Sequence, residues 1–278
     1  MSTPSLAAVR LADDVVMPQL GLGVFQVPAA EAQRVVEDAL ALGYRHVDTA
    51  AAYANEAGVG AALRSSGVAR DQVFLTSKLR NGDQGFEQTL RAYDDSCERL
   101  GVEFLDLYLV HWPNPAAGRY RDSWAALQRL HAEGRVRAVG VSNFLVEHLD
   151  ALDGPPPAVN QIELHPTFQQ RDLVRTCTER GIVVEAYSPL GQGADLDDPA
   201  VQDVARAHGA SPAQVVLAWH LHRGHVVIPK SSRRDRMQEN LDAARLELTD
   251  AQVASITALE RGHRIGGDPT TFSLSQIR

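Results

Sequence analysis

Short apolar runs recur along the chain with longer stretches of helical periodicity between them: "QLGLGV" at 19, "HVDTA" at 46, "VFLTSK" at 73, "LDLYLVHW" at 105, "VRAVGVSN" at 136, "AVNQIEL" at 158, "VVEAYSP" at 183 and "VVIPK" at 226. Each has the length of a strand and little polar alternation, the pattern of parallel strands covered on both faces. The segments between them carry helix signals. "SPAQVVLAWHLHR" offers Ser211 as N-cap, Pro212 in the first turn and Gln214 as capping-box partner, and "TDAQ" from Thr249 opens a further helix in the same way. Strands alternating with helices in this number predict a closed (β/α)8 TIM barrel, an α/β fold in a single domain over 1–278, rather than an open sheet. The leading "VRLADDVVMPQLGLG" breaks at "ADD" and predicts an N-terminal β-hairpin that caps the barrel's bottom. The Gly-rich tail "RGHRIGGDPTTFSLSQIR" predicts a C-terminal loop over the barrel mouth, able to contribute pocket walls.

Composition narrows the function classes. A hydrophobic content of 44% over 278 residues supports a large core without metal or disulfide. The net charge of -8 argues against a general nucleic-acid surface while leaving room for a local anion site. Cys97 and Cys177 fall in helix-like segments, so no disulfide framework is expected and a reducing compartment, the cytoplasm, is. No uninterrupted apolar run approaches the length of a membrane span, and the N-terminus lacks the basic-then-apolar order of a secretory leader; neither secretion nor a membrane is expected.

The polar residues that end the strands change the picture most. In "RHVDTAAAYANE", Asp48 follows the strand-like "YRHV" and Tyr53 falls in the next loop. Taken alone, the pair reads as a helix cap and a half-buried ring. Yet Lys78, His111, Ser142, Asn143, Gln161, Tyr187 and Lys230 also fall at strand ends, which in a barrel share one rim, the face that carries chemistry. A Tyr hydroxyl is a poor proton donor at its ordinary pKa; the Lys78 ammonium is expected to lower it, Asp48 to hold Lys78 charged, and His111 to hydrogen-bond a carbonyl oxygen. "IPKSSRRDRMQEN" from Ile228 concentrates Lys230, Arg233 and Arg236 with Ser231 and Ser232 at a helix start, a pattern that suits a phosphate. The competing reading of that segment is a solvated face whose charges Asp235 and Glu239 balance. "GVGAAL" at 58 follows a loop and is no dinucleotide fingerprint. His220, His222 and His225 lack a metal-site companion, and no metal is expected.

Together, "GYRHVDTAAAYANEAGVG", "DLYLVHWP", "VGVSNF", "NQIELHP", "YSPLGQG" and "IPKS" with "EN" downstream resemble the aldo-keto reductases over nearly the whole chain, particularly the short prokaryotic branch that includes diketogluconate reductases. The resemblance implies NADPH-dependent reduction of a small-molecule aldehyde or ketone by hydride transfer. It implies a catalytic tetrad of Asp48, Tyr53, Lys78 and His111, with Tyr53 as general acid. It also implies a carboxamide site at Ser142, Asn143 and Gln161, and Tyr187 stacked on the nicotinamide. Leu190, Gly191 and Gln192 would follow the pyrophosphate, and Arg236 and Asn240 would contact the adenosine moiety. Apart from the resemblance, a monomer is expected. Two departures stand out: Arg80 replaces a common tryptophan, and Ala52 replaces a larger apolar residue. Both are expected in substrate space, where Arg80 either clamps an anionic substrate or pairs with a loop carboxylate such as Asp83. Two other readings keep the barrel: a Schiff-base lyase using Lys78 or Lys230, and a slow cofactor-binding sensor.

Overall fold

The computed structural model of the chain describes residues 7–274; the first six residues and the last four of the tail lie outside the described residues. The chain opens with an antiparallel pair, β1 (Ala8–Arg10) and β2 (Val16–Pro18), in the register Ala8 to Pro18. Eight further strands then form one sheet in strict chain order: β3 (Leu22–Gly23), β4 (His46–Asp48), β5 (Phe74–Leu79), β6 (Leu105–Val110), β7 (Val136–Ser142), β8 (Val159–Glu163), β9 (Val183–Tyr187) and β10 (Val226–Val227). All neighbouring pairs run parallel. The sheet closes on itself through parallel bridges from Leu20 to Val227 and from Gly23 to Lys230. Every apolar run of the sequence is thus a barrel strand.

The helices pack outside for the reason their periodicity gives. Along α1 (Ala29–Leu42) the buried positions are Ala32, Val35, Val36, Ala39 and Leu40, a single stripe. Outer helices that use the same device include α2 (Glu56–Ser65), α3 (Phe86–Leu100), α4 (Tyr120–Ala132), the short α5 (Val146–Asp150), α6 (Arg171–Glu179) and α7 (Pro199–His208). Both capping boxes form. Ser211 and Gln214 exchange hydrogen bonds at the start of α8 (Pro212–His222), and Thr249 and Gln252 do so, two helices later, at the start of α10 (Asp250–Thr257). Between them lies α9 (Arg234–Asp242). On α8, His220 is buried with its Nδ1 3.3 Å from that of His225, whereas His222 faces solvent.

The barrel's two ends differ in kind. At the N-terminal end, Leu11, Val15 and Met17 of the hairpin pack on Phe74, Leu107, Ala138, Val159 and Val226 in an apolar plug. At the C-terminal end the strands finish in the polar residues, and the tail from Gly262 crosses above them.

Candidate active site

Asp48 and Lys78 end adjacent strands, and their side chains meet inside the barrel: Lys78 Nζ lies 2.5 Å from Asp48 Oδ1 and donates to the Thr49 carbonyl at 2.9 Å. Tyr53, on the turn after β4, places its hydroxyl 3.5 Å from the same ammonium. His111, just past β6, presents its ring edge-on to Tyr53 with centroids 5.6 Å apart. The four residues expected to act together are thus a contiguous cluster, with Asp48, Lys78 and His111 buried and Tyr53 half-buried.

Burial and charge compete at three of them and act together at His111. Burial, the largest single influence, would discharge Lys78, but Asp48, with smaller contributions from Tyr53 and Glu185, outweighs it and holds the ammonium above its ordinary value. Burial pushes Asp48 upward against the pull of Lys78. For His111, burial and the Lys78 charge act in the same direction and hold the imidazole neutral. Tyr53 corrects the sequence expectation of a lowered phenol. Burial is the larger effect, the ammonium only offsets it, and the hydroxyl is pushed up to about 12. Part of the reason is that Asp48 spends the Lys78 charge before it reaches the phenol.

Above this cluster lies a cavity of about 320 Å³ at the barrel mouth, lined by Asp48, Tyr53, His111, Ser142, Asn143, Gln161, Tyr187, Gln192 and Lys230 among others. Its polar wall is internally bonded. Tyr187 donates to Asn143 Oδ1 at 2.8 Å, Asn143 Nδ2 donates to the His111 carbonyl at 3.1 Å and to Ser142 Oγ at 3.0 Å, and Ser142 donates to the Gln161 carbonyl at 2.9 Å. Asn143, Ser188 and Gln192 line the cavity in the left-handed region, with φ of 64°, 47° and 52°, a concentration of backbone strain of the kind held at binding sites.

Beyond this rim the expected residues disperse. Leu190 and Gly191 sit in the turn before Gln192 and do not line the cavity. Ser231 accepts the Arg233 N–H and so closes the turn that leads into α9. Arg233 forks onto Asp235, the charge-balanced arrangement, and Arg234 pairs with Asp38. Arg236 is exposed and, among the described residues, has no carboxylate partner; Asn240 is buried against the Tyr44 hydroxyl. Arg80 forks onto Asp83 at 2.5 and 3.2 Å, the loop-carboxylate alternative, and neither Arg80 nor Ala52 lines the cavity.

Other lining residues escaped the sequence reading. Phe25, Trp112 and Phe272 give the mouth aromatic walls, and Phe272 stacks on Trp112 with centroids 4.0 Å apart. The tail that brings Phe272 is fastened by Glu163, whose carboxylate accepts the N–H groups of Ile265 at 2.6 Å and Gly266 at 2.7 Å. Gly266 must be glycine for that contact, because a Cβ would fall 2.5 Å from Glu163 Oε2. Behind Glu163, His165 bridges it to Asp195; burial pulls the imidazole down, but the two carboxylates prevail and lift it to about 8. An acidic residue inside the apolar run "NQIEL" was the available signal.

Comparison with known proteins agrees with this geometry. The sequence profile of the aldo/keto reductase family matches residues 18–261. The chain is 46% identical over 273 residues to the glyoxal reductase of Bacillus subtilis, covering 97% of this chain and 98% of that protein. It is also 46% identical over 271 residues to the 9,11-endoperoxide prostaglandin H2 reductase of Trypanosoma cruzi, covering 95% of each. Among solved structures, a mutant of Gox0644 in complex with NADPH superposes with a TM-score of 0.94 at 44% identity, covering 98% of this chain and 100% of that one. The aldo-keto reductase of Bombyx mori in complex with NADP does so with a TM-score of 0.88 at 32% identity, covering 94% and 95%. With a profile that spans most of the barrel and relatives that match it end to end, this chain belongs to the aldo/keto reductase family.

Proposed function

We propose that the chain, a single barrel domain, is an NADPH-dependent reductase of aldehydes and ketones in which Tyr53 is the proton donor. The carrying observation is the contact of one buried ammonium, Lys78, with both Asp48 and the Tyr53 hydroxyl at the floor of an open cavity. When bound, NADPH supplies a hydride to the carbonyl carbon. The carbonyl oxygen gains negative charge as this happens and takes the Tyr53 proton. A phenol near 12 is fully protonated at neutral pH, so the donor is always loaded, and the phenolate left behind is stabilised by Lys78. His111, neutral, has one N–H to direct at the same oxygen without itself changing charge.

The chain's own groups fit the cofactor. Both N–H groups of the Gln161 amide are engaged by carboxyl oxygens, leaving its carbonyl oxygen as the free end beside the polar wall of Ser142 and Asn143, which suits a carboxamide. The Tyr187 ring offers a flat surface. Gln192, with Leu190 and Gly191 before it, would follow the pyrophosphate. Arg236, without a carboxylate partner among the described residues, is the strongest candidate for the 2'-phosphate, with Lys230, Ser231, Arg233 and Asn240 in the same segment. The proposed acting form is a monomer. The free Cys97 and Cys177 support the cytoplasm, and no helix among the described residues is long and apolar enough to cross a membrane.

The test is NADPH oxidation against a panel of small aldehydes that includes glyoxal. Turnover that needs aldehyde and no added metal supports the reading. Borohydride-trappable adducts on Lys78 or Lys230 without nicotinamide oxidation would favour a Schiff-base enzyme instead.

A further inference from the structure

Below the tetrad, on the inner face of β9, lies a carboxyl group that the proposed chemistry does not use. Glu185 is fully buried inside the barrel. Its Oε2 accepts from Gln161 Nε2 at 2.8 Å, and the same nitrogen donates to Asp48 Oδ2 at 2.8 Å. Its Oε1 faces His46 Nε2 at 3.5 Å, and neither atom has a hydrogen-bond partner among the described residues. The other ring nitrogen of His46, Nδ1, lies 3.3 Å from the Pro18 carbonyl, an acceptor only, so the ring hydrogen belongs on Nδ1 and Nε2 carries a lone pair. The ring fits there because position 21 is glycine, where a Cβ would meet Nδ1 at 2.5 Å.

A carboxylate at Glu185 would set its charge against that lone pair and against Asp48. A carboxylic acid would instead point its O–H at Nε2 and still accept from Gln161. Charge counting agrees: one ammonium, Lys78, neutralises one carboxylate, and Asp48 is the one in contact with it. We propose that Glu185 is a positioning residue that works as a neutral acid, its proton directed at His46 and its carbonyl oxygen fixing the Gln161 amide so that Gln161 turns an acceptor toward the nicotinamide carboxamide. The amide cannot turn over, since its oxygen would then face two carboxyl oxygens. Burial, the first cause, and the Asp48 charge, the second, push Glu185 up to about 8. The titratable groups facing it are Asp48 and His46 from β4, Lys78 from β5 and Tyr53 from the turn above, while β10 beside it brings only Val226 and Val227.

The inference rests on the reductase reading, and two measurements separate their failures. Glu185→Gln keeps a carbonyl oxygen for Gln161 and an N–H for His46 but cannot ionise; Glu185→Leu keeps neither. By titration of protein fluorescence with NADPH, wild-type protein should bind about five- to tenfold more weakly above pH 9 than at pH 7. Glu185→Gln should match wild type at pH 7 within about threefold and lose the alkaline weakening, and Glu185→Leu should be weak at both. Independently of nucleotide, Glu185→Gln should melt higher than wild type by a margin that grows from pH 5 to pH 8 and then levels off. The unfolded carboxyl releases its proton near its ordinary value, and the folded one keeps it to about 8. A flat melting difference, or a Glu185→Gln protein destabilised at every pH as loss of an imidazolium–carboxylate pair demands, overturns the proposal even if Glu185→Leu does not fold. Failure of wild-type protein to bind NADPH, with the melting margin as stated, would count against the cofactor reading and spare the buried acid.

Discussion

The floor of the cavity and the segment from Ile228 to Asn240 hold their charges in opposite ways. At the floor, Asp48, Lys78, Gln161, Glu185 and His46 are buried and locked by short contacts that cross β4, β5, β8 and β9. In the outer segment Arg233, Arg234 and Arg236 are exposed, two of them neutralised by surface carboxylates and one without such a partner among the described residues. Charges in a low-dielectric interior act strongly and need no reorganisation when the reaction begins, whereas exposed pairs contribute roughly 0–1 kcal/mol and exchange partners easily. Under the proposed function, the same chain fixes the groups assigned to the proton and leaves adaptable those assigned to a charged, mobile nucleotide.

The sharpest way to break that contrast is at the floor. Lys78→Met removes the one cation among two carboxyl groups and the Tyr53 phenol. We expect kcat to fall by about 10²- to 10⁴-fold, with Asp48 moving further upward because only the Gln161 hydrogen bond is then left to oppose burial. Wild-type turnover in Lys78→Met, assayed on protein shown to be folded, would mean that the buried pair is structural only. In the outer segment the expected loss is smaller and selective. Arg236→Ala should weaken NADPH by roughly 10- to 150-fold, the value of one charge-assisted contact of about 1.5–3 kcal/mol, and leave NADH nearly unchanged. Equal weakening of both nucleotides would assign Arg236 a general role.

The smallest effect belongs to Arg80, which is tied to Asp83 and stands off the cavity. Arg80→Trp should leave the ratio of kcat/KM between a keto acid and its uncharged ester unchanged within about twofold, since a half-exposed surface pair contributes roughly 0.2–1 kcal/mol and no contact with the cavity is lost. A tenfold fall in that ratio would restore Arg80 as an anion clamp.

Much of this architecture was legible in the sequence because it depends on local pattern. The eight apolar runs, the break at "ADD" and the caps at Ser211 and Thr249 are decided within a few residues, and each appears where the pattern put it. The strand-end residues were legible for the same reason, since a parallel barrel places all such ends on one rim. Side-chain partnerships across the barrel were not. Asp48 meets Gln161 across 113 positions and Gln161 meets Glu185 across 24, and nothing local marks such a pair beyond a charged residue inside an apolar run. The balance at Tyr53 was hidden too, because proximity to an ammonium is readable from spacing but the depth of burial that outweighs it is not. Arg80 illustrates the reverse: a carboxylate three positions away settled its direction, and that signal was local.

The central claim, that Tyr53 delivers the proton from a site separate from the nucleotide's anchors, is tested most directly by measuring kcat and the NADPH dissociation constant side by side for wild-type protein and Tyr53→Phe. The account predicts that kcat for aldehyde reduction falls by about 10²- to 10⁴-fold while NADPH affinity stays within about threefold. Loss of NADPH affinity in proportion to the loss of rate, or a kcat that survives without the hydroxyl, would contradict it.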